Sequence, residues 1–291
     1  MMIDQNPFPD NPSTSFLLGG DLAVSRLGFG TMQLTGPGTW GQPADRDNAI
    51  RVIRRAAELG VTFFDSADAY GPDVTSGILR DALYPYAEDI VIATKVGQTR
   101  QGPDQWRPNG TPAHLREQVE RELRHLDVDR IDLLQLHRID PTVALEDQIG
   151  TLRLLQDEGK IRHIGLSEVT ISETEAAMEV APIVSVQNLY NLSQRNAEPL
   201  LDWATERNIG FIPWFPLATG GLTGDDSPLT RLALRHDASP AQLALAWLLK
   251  RSPVVLPIPG TSRVAHLEDN LRAATIELDD AEFDELSQAV G

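Results

Sequence analysis

Three short apolar runs in this chain each end on a residue able to do chemistry. "VTFFD" ends on Asp65, "IVIATK" on Lys95 and "LLQLH" on His137, and the stretch "DSADAYG" brings Tyr70 just after Asp65. Alone, each has an ordinary explanation. A strand-end aspartate caps the next helix, a lysine reaches water, a histidine is satisfied in the core, and a tyrosine before Gly-Pro packs a loop. On consecutive strands, however, they bring an acid, a base and an imidazole to one rim, and charged groups with perturbed titration cluster at functional sites. A phenol with a pKa near ~10 holds its proton at neutral pH. A lysine cation beside it favours the phenolate and lowers that pKa towards the working range. Asp65 neutralises and orients Lys95, which is costly to bury unpaired. His137 is placed to hydrogen-bond a substrate oxygen next to the phenol. The result is a proton donor aimed at a carbonyl oxygen, with no nucleophile and no metal. The electrons must then come from a hydride cofactor. A different use of the same residues is a lyase or isomerase in which Lys95 forms a Schiff base.

These residues need strands that end at one mouth, and the pattern supplies them. The apolar runs are "RLGFGT", "VTFFDS", "IVIATKV", "IDLLQLH", "IRHIGLS", "IVSVQNLY", "GFIPWFPL" and "VVLPIPG". Segments with helical spacing separate them, among them "DRDNAIRVIRRAAEL", "PAHLREQVERELRHL" and "ALEDQIGTLRLLQDEG". Thr111-Pro112 and Ser239-Pro240 read as caps followed by proline at the first helical position, and Gly60 and Gly159 as helix stops. Eight near-continuous apolar strands, each followed by a helix, predict parallel strands buried on both faces and a closed (β/α)8 TIM barrel, whose chemistry sits at the C-terminal strand ends. An open doubly wound sheet is the alternative. "SFLLGGDLAV" predicts an N-terminal β-hairpin around Gly19-Gly20 that plugs the bottom of the barrel.

Composition narrows the function. The 291 residues suffice for one large barrel, and a hydrophobic fraction of 41% is that of an ordinary globular chain. Residues 1–14 read as a frayed tail and 15–291 as a single domain. No apolar run reaches membrane-spanning length, and the N-terminus lacks the basic and apolar regions of a signal peptide. The absence of cysteine excludes disulfides, zinc thiolates and cysteine nucleophiles and suits a cytoplasmic protein. The sequons at Asn109 and Asn191 are then accidental. A formal charge of −17 opposes binding to nucleic acid or anionic membrane, while leaving room for a locally basic pocket. The oligomeric state cannot be read from the sequence.

The set Asp65, Tyr70, Lys95 and His137, together with "GFGTMQL", "GLSEV", "VQNLYN" and "IPGTSRVAHLEDN", resembles the aldo-keto reductase family from about Ser15 to the C-terminal helix. "MQLTGPGTWGQPADR", "ALYPY" and "WFPL" resemble its bacterial branch that includes pyridoxal reductases. The resemblance implies reduction of an aldehyde or ketone with NADPH, hydride coming from nicotinamide C4 and the proton from Tyr70, with pyridoxal as one substrate. It also admits a regulatory subunit that senses NADPH.

For NADPH/NADP+ the resemblance places Gly30, Thr31 and Met32 at the nicotinamide and its ribose, with Asp65 close by, and Ser167 and Gln187 on the carboxamide. Glu168 stands where the family often has asparagine. It can accept from the carboxamide NH2 but cannot donate to its oxygen. Trp214 is expected to stack on the nicotinamide. Phe215, Leu217 and Gly221 belong to the loop expected over the pyrophosphate, whose glycines let backbone amides approach closely. Gly260, Thr261, Ser262, Arg263, His266, Asp269 and Asn270 resemble the adenosine-phosphate site. There Gly260 and His266 replace the usual lysine and arginine, which leaves Arg263 as the main cation for a 2′-phosphate. The spacing Gly36-Pro-Gly38-Thr-Trp-Gly41 fits G-x-G-x-x-G, but its proline and its place in a long loop are wrong for a phosphate turn. It reads better as a substrate loop carrying Trp40, with "GQTRQGPDQWRPNGT" as a second such loop carrying Trp106. Trp247, in "LALAWLLK", reads as core.

Overall fold

β-Branched and aromatic residues fill the short runs, and these become the strands of one parallel sheet. The computed structural model describes residues 14–217 and 227–289. The sheet contains β3 (Phe29–Gly30), β4 (Phe63–Asp65), β5 (Val91–Val96), β8 (Ile131–Leu136), β9 (Ile161–Ser167), β10 (Ile183–Leu189) and β11 (Gly210–Trp214), in that spatial order. Every neighbouring pair is parallel. Helices α1 (Arg46–Glu58), α2 (Val74–Leu83), α3 (Pro112–Leu126), α4 (Leu145–Asp157), α5 (Ile171–Met178) and α6 (Glu198–Glu206) connect them. Then follow α7 (Pro228–Arg235), α8 (Pro240–Arg251), α9 (Val264–Leu271) and α10 (Asp280–Gln288).

The eighth run differs from expectation. "VVLPIPG" forms a single bridge, Phe211 to Val255, and no regular strand. Pro257 and Pro259 have no N–H to donate to a ladder, so regular pairing stops there. The segment nevertheless bonds to both sides. Leu256 N donates to Phe211 O (2.8 Å), and Gly28 N donates to Pro257 O (2.9 Å). It thus links the two edges of the curled sheet.

The core is what holds the strands. Phe29, Phe63, Phe64 and Phe211 are fully buried, and all six residues of β5 are buried. Each such large apolar side chain contributes about 1.5–3 kcal/mol through removal from water. Trp247 is core as expected, stacked between Tyr190 (5.9 Å) and Phe283 (5.7 Å).

The N-terminal hairpin pairs β1 (Ser15–Leu18) with β2 (Leu22–Ser25), and its turn uses left-handed backbone at Gly19 and Gly20. Asp21 in that turn accepts from Arg162 Nη2 (2.9 Å) and pairs with His163 Nε2 (2.6 Å) at the start of β9. Leu18 packs so closely on Gly210, the first residue of β11, that a Cβ there would lie 2.6 Å from it. The hairpin therefore lies at the N-terminal ends of the strands, away from the candidate chemistry.

Helix ends follow the sequence signals, with one exception. Ser239 forms a full capping box with Gln242, and Gly60 and Gly159 follow their helices with positive φ. Thr111 precedes Pro112 as expected, but its hydroxyl donates to Asn109 Oδ1 and caps nothing. Residues 1–13, and with them nearly all of the expected tail, lie outside the described residues. Among the described residues no helix is long and apolar enough to cross a membrane.

Candidate active site

Parallel pairing sets the C-terminal ends of β4, β5 and β8 side by side, so the polar residues that close the apolar runs meet. Asp65, Lys95, His137 and Tyr70 are all buried, with Asp65 and Lys95 each only 1% exposed. Lys95 Nζ donates to Asp65 Oδ1 (2.5 Å), to Ser66 O (2.8 Å) and to Tyr70 Oη (3.3 Å). The three ammonium protons are thereby matched by three oxygens, which is how a buried lysine stays charged. Asp65 Oδ2 accepts from Gln187 Nε2 (2.8 Å) and Gln135 Nε2 (3.2 Å). Thr31 N and Oγ1 both donate to Asp65 O, which fixes the strand end itself.

Burial pushes the Tyr70 phenol above its ordinary range, and the nearby Lys95 ammonium opposes that rise without overcoming it. The expected lowering is thereby corrected, because desolvation of a phenolate this deep outweighs one cation. The phenol keeps its proton at neutral pH. Burial also opposes the Lys95 ammonium, but the Asp65 charge and the hydrogen bonds hold it above its ordinary value. His137 is pushed well below its usual range, first by burial and then by Lys95, Arg138 and Arg100, so the imidazole is neutral.

The site opens on a cavity of about 610 Å³ lined by Tyr70, His137, Asp65 and Trp106 among others. Tyr70, Trp106 and His137 meet edge to face, with ring centroids 5.8–6.3 Å apart. The second expected substrate loop is a small hairpin, β6 (Gln98–Arg100) with β7 (Trp106–Pro108). Trp40 does not line the cavity. Its ring centre lies 5.7 Å from the Arg100 guanidinium carbon.

Arg100 is a residue that sequence reasoning passed over. Its carbon Cζ lies 3.6 Å from the centre of the Trp106 ring. Nε donates to Gln105 O, Nη1 to Thr39 O and Ala69 O, and Nη2 to Gly38 O and Gly102 O. All five guanidinium N–H groups thus meet backbone carbonyls from three separate loops. Gln98, Gln135 and Arg138 were missed too. For Gln135 a signal existed, a glutamine inside the apolar strand "LLQL". Arg138 Nη1 donates to Ser167 Oγ (3.0 Å) and His137 O (2.5 Å).

The model of the aldo/keto reductase family matches residues 26–290. The chain belongs to the aldo/keto reductase family. It is 43% identical to pyridoxine 4-dehydrogenase of Escherichia coli, across 91% of this chain and 94% of that one. It is 48% identical to an uncharacterized oxidoreductase of Schizosaccharomyces pombe, across 92% of this chain and 88% of that one. An aldo-keto reductase of Klebsiella pneumoniae solved in complex with NADPH superposes with a TM-score of 0.80 at 25% identity, covering 94% of each chain. An oxidoreductase on a TIM barrel is therefore the frame for the remaining residues.

In this aldo/keto reductase the cofactor residues implied by resemblance divide into groups. Gly30, Met32, Ser167, Gln187, Trp214, Phe215, Leu217 and Gly260 line the cavity that holds Tyr70. Gly30 and Gly260 touch through their backbones, so a Cβ on Gly260 would lie 2.6 Å from Gly30 O. Thr31 is buried behind the wall, bonded to Asp65. Glu168 does not line the cavity. Its Oε1 accepts from Trp214 Nε1 (2.5 Å) and Leu189 N (2.7 Å), so it orients the tryptophan. Thr261 is buried, and its Oγ1 accepts from Arg263 N. Ser262, Arg263 and His266 are exposed around the start of α9. Asn270 is buried at 5% exposure. The Asp269 carboxylate is committed to Ser239 Oγ and Gln242 Nε2, so it braces α8. Gly221 lies outside the described residues.

Proposed function

We propose that this chain reduces aldehydes to alcohols with NADPH, pyridoxal among them, on a closed barrel mouth in the cytoplasm. The observation that carries the reading is the buried contact between Lys95 Nζ and Tyr70 Oη at 3.3 Å, in a set that lines the cavity beside neutral His137. The residues fit a nicotinamide. Trp214, its indole N–H fixed by Glu168, shares the cavity wall with the polar side chains of Ser167 and Gln187. When bound, NADPH supplies the hydride. Tyr70 donates the proton to the carbonyl oxygen. His137 orients that oxygen by a hydrogen bond, and Lys95 with Asp65 holds the phenol in place. A Schiff-base lyase is the weaker reading, because Lys95 is protonated and already bonded to three oxygens, whereas such chemistry needs a free amine.

The test of substrate is kcat/KM for pyridoxal, a simple aromatic aldehyde and a steroid ketone, in the wild type and in Trp106→Ala. Pyridoxal and the simple aldehyde are expected to be preferred to the steroid. The tryptophan adds roughly tenfold or less for a ring packed on it, at about 0.5–1.5 kcal/mol per aromatic pair. No pyridoxal reduction would sink that substrate. A steroid preference would sink the size argument. An unchanged ranking in Trp106→Ala would remove that side chain from substrate choice.

Cofactor choice is a separate expectation. Arg263 is exposed at the N-cap of α9, where it is free to meet a 2′-phosphate. Arg263→Ala should weaken NADPH binding by roughly tenfold or less, the range of an exposed ion pair, with little effect on NADH. Titrating both cofactors into both proteins measures it. Equal NADPH affinity would assign the phosphate to another group.

A further inference from the structure

Gln98 opens β6, directly after the glycine that follows β5, and its side chain lines the cavity shared by Tyr70, His137 and Trp106. The residue is 7% exposed, and its amide oxygen is buried with no hydrogen-bond partner among the described residues. That is unusual. A buried side-chain amide is nearly always paired, and leaving one unpaired is costly. The rings of Tyr70, Trp106 and His137 line the same cavity. The cations nearby are already engaged: all five Arg100 N–H groups meet backbone carbonyls, and Arg138 bonds to Ser167 and His137. Gln98 is therefore an unclaimed acceptor on the cavity that Tyr70, Trp106 and His137 also line.

We propose that Gln98 is a specificity-determining residue that binds a hydroxyl carried on the ring of the substrate whose carbonyl faces Tyr70. The inference rests on the carbonyl reduction proposed above. A carboxamide offers an acceptor and a donor on one plane, and a hydroxyl does both in return, so it is the best match for the amide. An apolar ring would leave the amide unpaired. A carboxylate would meet only the NH2 half and would leave the buried oxygen as it is. The substrate class so defined is the ring-hydroxylated aromatic aldehyde.

The experiment compares 2-, 3- and 4-hydroxybenzaldehyde with the matching methoxybenzaldehydes, following alcohol formation with NADPH by chromatography. Methoxy keeps the ring electronics close to those of hydroxy and removes the donor. In the wild type at least one hydroxy isomer should exceed its methoxy partner by roughly tenfold in kcat/KM, the size of one hydrogen bond to an otherwise unpaired buried group. The difference should appear mainly in KM. In Gln98→Met, of similar length and without polar hydrogen-bonding atoms, that ratio should fall to about one. In Gln98→Glu, which keeps an acceptor, it should persist. Equal treatment of hydroxy and methoxy partners by an active wild type overturns the inference and leaves carbonyl reduction standing; this is also the outcome if only water meets Gln98. A preference retained in Gln98→Met, or lost equally in Gln98→Glu, overturns it too. No reduction of any of the six aldehydes overturns the proposed reaction, and the inference with it.

Discussion

Tyr70→Phe is expected to lose about 10²–10⁴ of carbonyl reduction while binding the cofactor nearly as well as the wild type. The range is that of a positioned general acid removed from the transition state. Tyr70 has what the role requires. Burial keeps its proton on at neutral pH, Lys95 holds its oxygen, and the ring lines the cavity. His137 is no substitute, since burial and the neighbouring cations keep its imidazole neutral and a weak acid. Phenylalanine preserves the edge-to-face contacts with Trp106 and His137, so the loss reports the hydroxyl and not the packing. Single-turnover rates and NADPH titrations on the two proteins measure it. Near-normal turnover in the variant would remove the tyrosine from the role.

Lys95→Met is the second large effect, a loss of roughly one to two orders of magnitude. A cation within a few ångströms lowers a phenol's pKa, and a more acidic donor transfers its proton more readily. Removing Lys95 leaves burial unopposed, so the phenol rises further. Its sign in a pH–rate profile follows. Reduction needs the protonated phenol and falls as pH rises through its pKa, which lies above the ordinary value in the wild type. In Lys95→Met that falling limb should move to still higher pH, while the plateau below it drops. Asp65→Asn should do less, because Ser66 O and Tyr70 still hold the ammonium. The wild type should show no step near pH 6.5, since burial and the neighbouring cations keep His137 neutral there. Profiles and rates identical to the wild type in both variants would end the ion-pair account.

The parts of this molecule legible in the sequence are those whose cause is local. Asp65, Lys95 and His137 stood out because each ends an apolar run, and the alternation of runs and helices placed them on neighbouring strands. The eighth strand was misread because its apolar residues argue for pairing, while Pro257 and Pro259 remove the donors that pairing needs. Trp40 and Trp106 looked equivalent, as tryptophans in glycine-rich loops, yet only Trp106 lines the cavity. Both indoles lie near Arg100, at 3.6 Å for Trp106 and 5.7 Å for Trp40, and the partners of that guanidinium are backbone carbonyls at Gly38, Thr39, Ala69, Gly102 and Gln105. Carbonyl oxygens have no residue identity, so no sequence pattern announces such contacts. Gln98 was invisible for the opposite reason: its importance lies in a partner that the chain does not supply.

The Arg100 guanidinium bears on how this mouth can change its selectivity. A single side chain bonds to three stretches remote in the chain, including the one that ends beside Tyr70, and adds to the backbone bonds between them. A residue exchanged on the cavity face, such as Trp106 or Gln98, alters one contact and leaves those bonds in place. Loss of Arg100 removes five bonds at once, the one to the Tyr70 loop included, and leaves the backbone bonds Gly41 N to Gly71 O, Gly71 N to Thr39 O and Asp104 N to Gly38 O in place. Lysine cannot take over, having three donors where five are in use and no flat face to lay on the indole. Side chains on the rim are thus open to stepwise variation, while a change at Arg100 touches three loops at once.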